Sequence, residues 1–548
     1  MIIFLLIFSL IPLATTWLSG QPGISGIPFW GPHGHDSIWH LSLISQLLSH
    51  FPPQNPIFSG FQLSNYHYGF DILLAFLSKF TPFSLSFLYF RLIPLLFTLS
   101  VTFLSYLVGA KLSGRKLVGF YFAILNLFAG SAGYLVEFLK SGQLGGESLF
   151  WSMQSISFLI NPPYTLSLII CLLAILLLTR PTAVKLLIIG LSLGFLPIIK
   201  IYGFFFLLLI LATYLFLNFQ GKVFPFLKKY YPFIVSFLIV SAFVFIFFGL
   251  YKSGSLLTLE PLWFTHSLIE AQDKLFIPSL ASWRYNVATS PTLFKLPFLV
   301  LVELLLIIVF YFGNFFFRLL GFTPSNLKGL SPLESALLLA TLVSALIPLF
   351  FIQKGTPWNT IQFVYYSLIG ANYFFAKYLF RLKSIPVMVV LFFSCLTSVG
   401  TLKDYFGSPS PAILPASELA ALKYLSGQPG NTVFTVPYDP YKKAGLSTPI
   451  PLRFYETTAY VSAYSGKQTY LTDTMNAEIL GLPISERLTQ SIDFLNSTSR
   501  FAARGFLLNN QIDYIYLTPE QSLSFSPSDL EITEIYSHEG IRIYQVQK

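Results

Sequence analysis

Side chains able to do acid–base work are concentrated early in the chain. His33-Gly-His-Asp-Ser-Ile-Trp-His40 comes first, and Tyr66-His-Tyr-Gly-Phe-Asp71 follows. Asp36 stands four residues before His40, so the two share a face if both lie in one helix. A carboxylate there suits a general base. Tyr66, His67 and Asp71 form a second candidate group for catalysis or acceptor binding. His33, His35, His40 and His67 with Asp36 offer ligands that suit a divalent metal such as zinc, although no His-x3-His helical pair occurs. The structural reading of the same residues is plainer. Asp36 caps the helix that follows, and Tyr66–Asp71 is an amphipathic interface segment.

Cations form the second constellation. Lys200 interrupts the apolar stretch Ile198-Ile-Lys-Ile-Tyr202, where a bare charge is costly. Arg91, Arg284 and Lys354 fall near the ends of other apolar runs. Such cations can steady a phosphate leaving group, or they can snorkel to the interface. Trp358, Asn359 and Gln362 open a further apolar run. Asn359 and Gln362 share a face fit for sugar or phosphate contact, while Trp358 suits interface anchoring. Glu303 falls inside an apolar run, where an acid is expected to pair within a bundle. Glu260, His266 and Glu270 are weaker candidates.

The elements holding these residues follow from composition. Of 548 residues, 54% are hydrophobic and 10% charged, against about 25% charged in soluble domains. Apolar runs fall near 2–18, 84–110, 116–134, 164–180, 184–198, 200–218, 231–250, 296–314, 331–352, 360–378 and 384–400. A bilayer crossing takes roughly 20 apolar residues, so a polytopic all-α membrane domain of about eleven spans is expected over 1–404. The first run lacks a basic leader and reads as a retained span rather than a signal peptide. Residues 1–404 hold 23 basic and 10 acidic residues, and 405–548 hold 10 and 13. The basic excess is therefore a membrane feature and does not point to nucleic acid. With eleven spans the basic loops fall on one side, expected to be cytoplasmic. That places the long loops 19–83, 135–163 and 251–295, and the C-terminal segment, outside. Within the first loop, Ile38, Leu41, Ile44, Leu47 and Leu48 predict a helix lying flat on the membrane.

Beyond residue 405 the composition becomes soluble-like. Ser408-Pro-Ser-Pro411 reads as a linker. Helices are expected at 417–425 and 501–510, strands at 432–436 and 513–517, and a hairpin at 532–536 and 541–546. This is a small extracytoplasmic α/β domain over 405–548. Cys171 and Cys395 both lie in apolar runs, which excludes a disulfide framework and a cysteine-based zinc site.

A first span, a long outer loop carrying an early Asp, about eleven spans and an outward α/β domain together resemble the C-type (GT-C) superfamily of glycosyltransferases. Asn161-Pro-Pro-Tyr-Thr-Leu-Ser167 and Lys354-Gly-Thr-Pro-Trp-Asn-Thr-Ile-Gln-Phe-Val-Tyr-Tyr366 are similar to stretches of bacterial members. The resemblance implies a multi-pass enzyme of the plasma (inner) membrane in a bacterial cell envelope. It would move a sugar from a polyprenyl-phosphate carrier to a glycan, lipid or protein acceptor on the outer face, by inversion, with Asp36 as base. Many members carry an Asp-Glu pair in the first loop, whereas Asp36 is followed by Ser37. The second acid is then Asp71 or comes from another loop, and metal use stays open. Two rival expectations are a transporter or flippase of lipid-linked glycans and a non-catalytic membrane scaffold. A transporter predicts paired halves, and the sequence shows no such halves.

Overall fold

The computed structural model describes residues 2–64, 66–248, 257–407 and 409–548. Every apolar run named above is helical over most of its length. Five helices, Leu85–Ser113, Val223–Phe247, Leu296–Phe322, Pro332–Phe350 and Ser384–Gly407, are long and apolar enough to cross a bilayer. Lys116–Phe128 and Gly133–Ser141 make a sixth if the 43° bend between them is taken within one span. In Leu296–Phe315 the side chains of Phe298, Val300, Leu301, Leu304, Leu305 and Ile308 are exposed. A row of this kind is stable only against lipid or another apolar surface. The chain is an integral membrane protein.

Pro162–Leu178, Ala183–Ile199 and Ile201–Leu217 have 17 residues each, roughly 25 Å of helix against a hydrocarbon core of about 30 Å. The last two are separate helices. Lys200 between them adopts φ −163° and ψ 110°, an extended conformation that ends one helix and starts the next.

By internal packing the chain divides into two units, Met1–Thr15 with Pro94–Phe406, and Thr16–Ile93 with Gly407–Lys548. In the first, Gln362–Leu379 is buried on nearly every face. It has the length of a span without the apolarity, because its neighbours are protein. Its Asn372 accepts from Arg318 Nε at 2.7 Å and donates to Asn126 at 2.8 Å. Arg318 spends its remaining donors on Gly130 O, Ala129 O, Asn314 O and the side chains of Gln154 and Ser155. The buried charge is thus fully hydrogen-bonded, which is the condition for tolerating it.

Ala183–Ile199 packs on Val223–Phe247 through Gly190 and Gly194, spaced as in close-packed membrane helices. A Cβ on Gly190 would lie 2.1 Å from Ser236 Oγ and 2.5 Å from Phe233 O. Gly190→Leu is therefore expected to force the pair apart and cost about 1–3 kcal/mol. Thermal unfolding of the purified variant checks this, and an unchanged midpoint would refute the close approach.

The second unit is α/β. A three-stranded sheet runs Gly26–Phe29, Ala412–Pro415, Ile450–Pro451, the first pair antiparallel and the second parallel. A Cβ on Gly26, at φ 130°, would fall 2.0 Å from Leu414 O, so only glycine permits this pairing. A five-stranded sheet runs Gln468–Thr469, Thr432–Thr435, Tyr514–Leu517, Ile541–Val546, Ile532–His538. The expected helices, strands and hairpin of this region are all present, with the helices at Ala416–Ser426 and Arg500–Asn509. Ser408 of the expected linker lies outside the described residues. Ser410 is tied to Phe29 by hydrogen bonds to its N and O at 3.2 and 3.1 Å, so this residue is anchored beside the sheet.

The helix Asp36–Ser49 corrects one expectation. It does not present a single apolar stripe to a membrane surface, because Ser37, His40, Ser42 and Gln46 are buried along with Ile38, Leu41 and Ile44. It packs within the unit against Gly69–Phe80 and Tyr460–Ser465.

Candidate active site

Asp36 occupies the first turn of its helix but does not cap it. The cap position is His35, which makes no side-chain cap bond. Instead His35 Nδ1 lies 2.9 Å from Asp36 Oδ1, and its Nε2 lies 3.1 Å from Oδ1 of Asp473. The imidazole thus bridges two carboxylates. Asp473 is fully buried, sits at φ 45° and caps Thr474–Ile479, accepting from Asn476 N at 3.1 Å and Asn476 Nδ2 at 2.8 Å. Its position is fixed by residues 56–59, which run beside the strand Gln468–Thr469: Thr469 N donates to Pro56 O, Thr472 N to Ile57 O and Ser59 N to Thr469 O. Arg487 holds this seam, bonding to Tyr470 O and Ser59 O over the rings of Phe58 and Tyr470.

The electrostatics follow from this bridge. Burial alone would lower the pKa of His35, but the charge of Asp473 and the bonds to both carboxylates raise it well above 6.5. Burial would raise Asp36. The hydrogen bond and charge of His35, with the charges of His40 and His33, outweigh that and hold Asp36 below its ordinary value. The Asp36 side chain is 58% exposed while that of His35 is 7% exposed. The result is an accessible carboxylate kept ionised by a buried imidazolium.

The sign of the pH dependence is fixed by these directions. A raised His35 stabilises the fold fully below about pH 6.5 and loses that contribution as pH climbs through the elevated value. The thermal midpoint is expected to decline on the alkaline side of neutrality, and His35→Gln should flatten that slope. An identical slope in the variant would count against the charged bridge.

Asp71 makes the second pair. Its Oδ1 lies 2.8 Å from His40 Nδ1, and its side chain is wholly enclosed. The other oxygen, Oδ2, is buried without a hydrogen bond, and burial raises its pKa despite His40. The rings of Tyr66, Phe70 and Tyr89 surround His40, and His67 stacks on Tyr66 at 4.7 Å. Burial, with the charge of Asp71, pushes Tyr66 well up. His40 is therefore paired with Asp71 rather than with Asp36, four residues before it.

Glu456 and Asp473 joined the candidates only through the fold. Both line a small recess of about 50 Å³ at the carboxyl ends of Thr432–Thr435 and Tyr514–Leu517, the usual ligand edge of parallel strands. Burial, with Asp36 and Asp473 nearby, raises Glu456 against the opposing charges of His35 and Lys443. Hydroxyls of Thr457, Thr458 and Thr474 share the recess. Ligand pockets usually enclose about 300–1,000 Å³, so this recess takes one protruding group. The only sequence sign was Asp473-Thr-Met-Asn476, a capping pattern that reads as local structure.

No family model matches this sequence, and no curated protein matches it. Solved structures do match its fold. The oligosaccharyltransferase of Archaeoglobus fulgidus, a C-type glycosyltransferase, tethered by a disulfide bond to an acceptor peptide containing the NVT sequon, aligns over 95% of this chain and 69% of its own. The TM-score is 0.50 and the identity 13%. The fold is of the oligosaccharyltransferase type. The same enzyme in complex with zinc and sulfate aligns over 94% of this chain and 68% of its own, again with TM-score 0.50 and 13% identity. At this identity the likeness is one of fold alone.

A divalent metal does not fit the side chains around Asp36. Among the described residues no three His, Cys, Asp or Glu side chains converge as ligands. Both nitrogens of His35 are already taken by carboxylates, and an imidazolium has no lone pair to give a metal.

The remaining candidates lie in the first unit, except Arg91. Lys200 is 5% exposed with its Nζ 5.9 Å from the Tyr202 ring. Arg284 faces Glu303 at 3.2 Å and Glu270 at 3.8 Å, and His266 Nε2 meets Glu303 Oε2 at 2.8 Å. That quartet accounts for the acid inside Leu296–Phe315 and matches the Arg284 charge locally. Lys354 is exposed beside the strand Phe351–Gln353, and Trp358 is 41% exposed. Gln362 donates to Asn359 at 3.3 Å, confirming their common face.

Proposed function

We propose that this protein is a membrane glycosyltransferase that moves a sugar from a polyprenyl-phosphate carrier to an acceptor on the outer face of the plasma membrane. The observation that carries the reading is the exposed Asp36 carboxylate, held ionised by the His35 bridge in a chain with the oligosaccharyltransferase-type fold. Asp36 accepts the proton of the attacking group as that group closes on the anomeric carbon, and the bond to phosphate breaks on the opposite face with inversion. A phosphate leaving group needs no proton, so a carboxylate of low basicity suffices at the acceptor side. Lys200 and Lys354 steady the departing phosphate. Asp71 acts through His40, whose ring it orients, because its own carboxylate reaches no solvent. Tyr66 and His67 wall this pair, while Trp358, Asn359 and Gln362 contact the donor.

The recess at Glu456 and Asp473 receives part of the acceptor. In the neighbour of known structure the acceptor is a peptide, and a peptide side chain is of the size that 50 Å³ admits. An outer position for this recess and Asp36 is supported by the basic loops falling on one side if the chain makes the eleven spans expected from its apolar runs. Purified protein in vesicles, given a synthetic polyprenyl-phosphate sugar and candidate acceptors, should release the lipid phosphate and label an acceptor. Movement of the intact lipid-linked sugar across the vesicle, with no transfer, would replace this reading by that of a flippase.

A further inference from the structure

The buried charged side chains of the second unit have polar partners. Arg91 donates to Thr16 O, Ser19 O, Phe90 O and Gln21 Oε1. Lys467 donates to Gln428 O and Gly430 O. Glu418 has Arg453, and Asp71 has His40. Glu456 differs. It is half-buried in the wall of the small recess, and among the described residues it makes no hydrogen bond or ion pair. Its charged neighbours His35, Asp36, Lys443 and Asp473 act on it only through space. The approach is close nonetheless, since a Cβ on Gly34 would lie 2.9 Å from the Tyr455 ring. The segment carrying Glu456 thus packs on the turn that precedes His35.

Two hydroxyls of the same recess share this condition. Thr435 and Thr458 are 7% and 6% exposed, and the Oγ1 of each is buried without a hydrogen bond. Such atoms are rare in folded proteins, because each has given up its bonds to water for nothing. The other polar groups are spent. Asp473 accepts from His35 and Asn476, Arg453 pairs with Glu418 and Glu520, and Thr457 accepts from Thr474 N. One carboxylate and two hydroxyl oxygens therefore stand open on one small cavity. The charge around them is negative. His35 offsets one of the two carboxylates it bridges, so Asp36, His35 and Asp473 together carry one net negative charge beside Glu456. Burial, with those carboxylates, raises the Glu456 pKa, the response of an acid short of a cation. A protonated primary amine brings one positive charge and three N–H donors.

We propose that the recess binds a protonated primary amine, with the ammonium bonded to Glu456 and to the hydroxyl oxygens of Thr435 and Thr458. A lysine tip and the amino group of an amino sugar share this chemistry, and each is a single protruding group of the kind that about 50 Å³ admits. The ammonium is a handle rather than the attacking group, because a protonated nitrogen has no lone pair. Calling the amine part of the acceptor rests on the transferase reading, but the binding does not.

Equilibrium binding to the purified full-length protein in nonionic detergent, with no sugar donor present, tests the site. The peptide acetyl-Gly-Lys-Gly-amide should bind saturably. Its norleucine and trimethyllysine counterparts should each bind about tenfold more weakly or worse, the worth of one charged hydrogen bond. The first lacks the charge and the second lacks the N–H donors. Glu456→Gln keeps the side-chain shape and should weaken lysine-peptide binding by at least that factor with the unfolding temperature kept. Thr458→Val should weaken it about threefold, and it carries the test if Glu456→Gln does not fold. Lys442→Ala removes an exposed cation from the rim and should leave the affinity equal or higher, where a recess for anions would lose it. Glucosamine bound more tightly than the lysine peptide, with glucose unbound, supports an amino-sugar site, and the reverse order supports one for lysine. A norleucine or trimethyllysine peptide bound as well as the lysine peptide, full affinity in a folded Glu456→Gln protein, or lost affinity in Lys442→Ala would each overturn the proposal. A protein that transfers sugar yet fails these comparisons loses this site and keeps the transferase reading. One that passes them without transferring sugar does the reverse.

Discussion

Asp36→Asn should reduce sugar transfer by about 10²–10⁴-fold, the usual worth of a positioned general base, with little change in KM. The substitution keeps the size and shape of the side chain and removes only its charge. The fold should survive it, because His35 keeps its contact with Asp473, and Asp473 keeps its bonds to Asn476. The loss should also be flat across neutral pH, since His35 holds the wild-type Asp36 below the ordinary carboxylate value. A well-folded variant retaining full transfer would end the assignment. A loss confined to KM would make Asp36 a binding residue.

Arg453→Met should be the most destabilising single change in the second unit. Arg453 pairs closely with Glu418, which is 1% exposed, and lies 2.9 Å from Glu520. Tyr516 donates to the other Glu418 oxygen at 3.1 Å. Removing the guanidinium leaves a buried carboxylate uncompensated, which costs about 3–5 kcal/mol, or on the order of 10 °C in thermal midpoint. Burial already raises the Glu418 pKa, with Arg453 opposing it. In the variant the value should climb further, so acidification should restore part of the lost stability by letting Glu418 take a proton. The double variant Arg453→Met, Glu418→Gln should recover most of it at neutral pH. A double variant no more stable than the single one would place the loss in packing rather than charge.

The helices were legible because apolar runs of this length have few other solutions. Four C-terminal strands, Thr432–Thr435, Tyr514–Leu517, Ile532–His538 and Ile541–Val546, were legible because period-two patterns bounded by turns are local, whereas the short strands Ala412–Pro415, Ile450–Pro451 and Gln468–Thr469 were not. Lys200 marked an interruption within 184–218, but the local pattern left one broken helix or two short ones open. What escaped was pairing across the chain. Asp36 and Asp473 meet through one imidazole although they are 437 positions apart. Glu456 and Asp473 sit in a segment of ordinary soluble composition, where an acid attracts no notice. Arg284 read as a free cation because Glu303 lies on another helix. The helix Asp36–Ser49 misled for a physical reason. Its polar residues are small or hydrogen-bonded and are buried with its apolar ones, so its pattern imitates a surface helix.

The sheet Gly26–Phe29, Ala412–Pro415 joins strands separated by some 380 residues. A ribosome adds about 5–20 residues per second. The first strand therefore waits roughly 20–75 seconds, with its edge unmated, while all the intervening helices are inserted. During that interval Asp36 and His35 exist without Asp473, and the early segment is a target for proteases and for holding chaperones. A stalled or truncated chain would leave it so for good. The acidic bridge can assemble only once the strand Gln468–Thr469 and the cap at Asp473 have arrived, which ties the appearance of the site to the synthesis of a segment far along the chain.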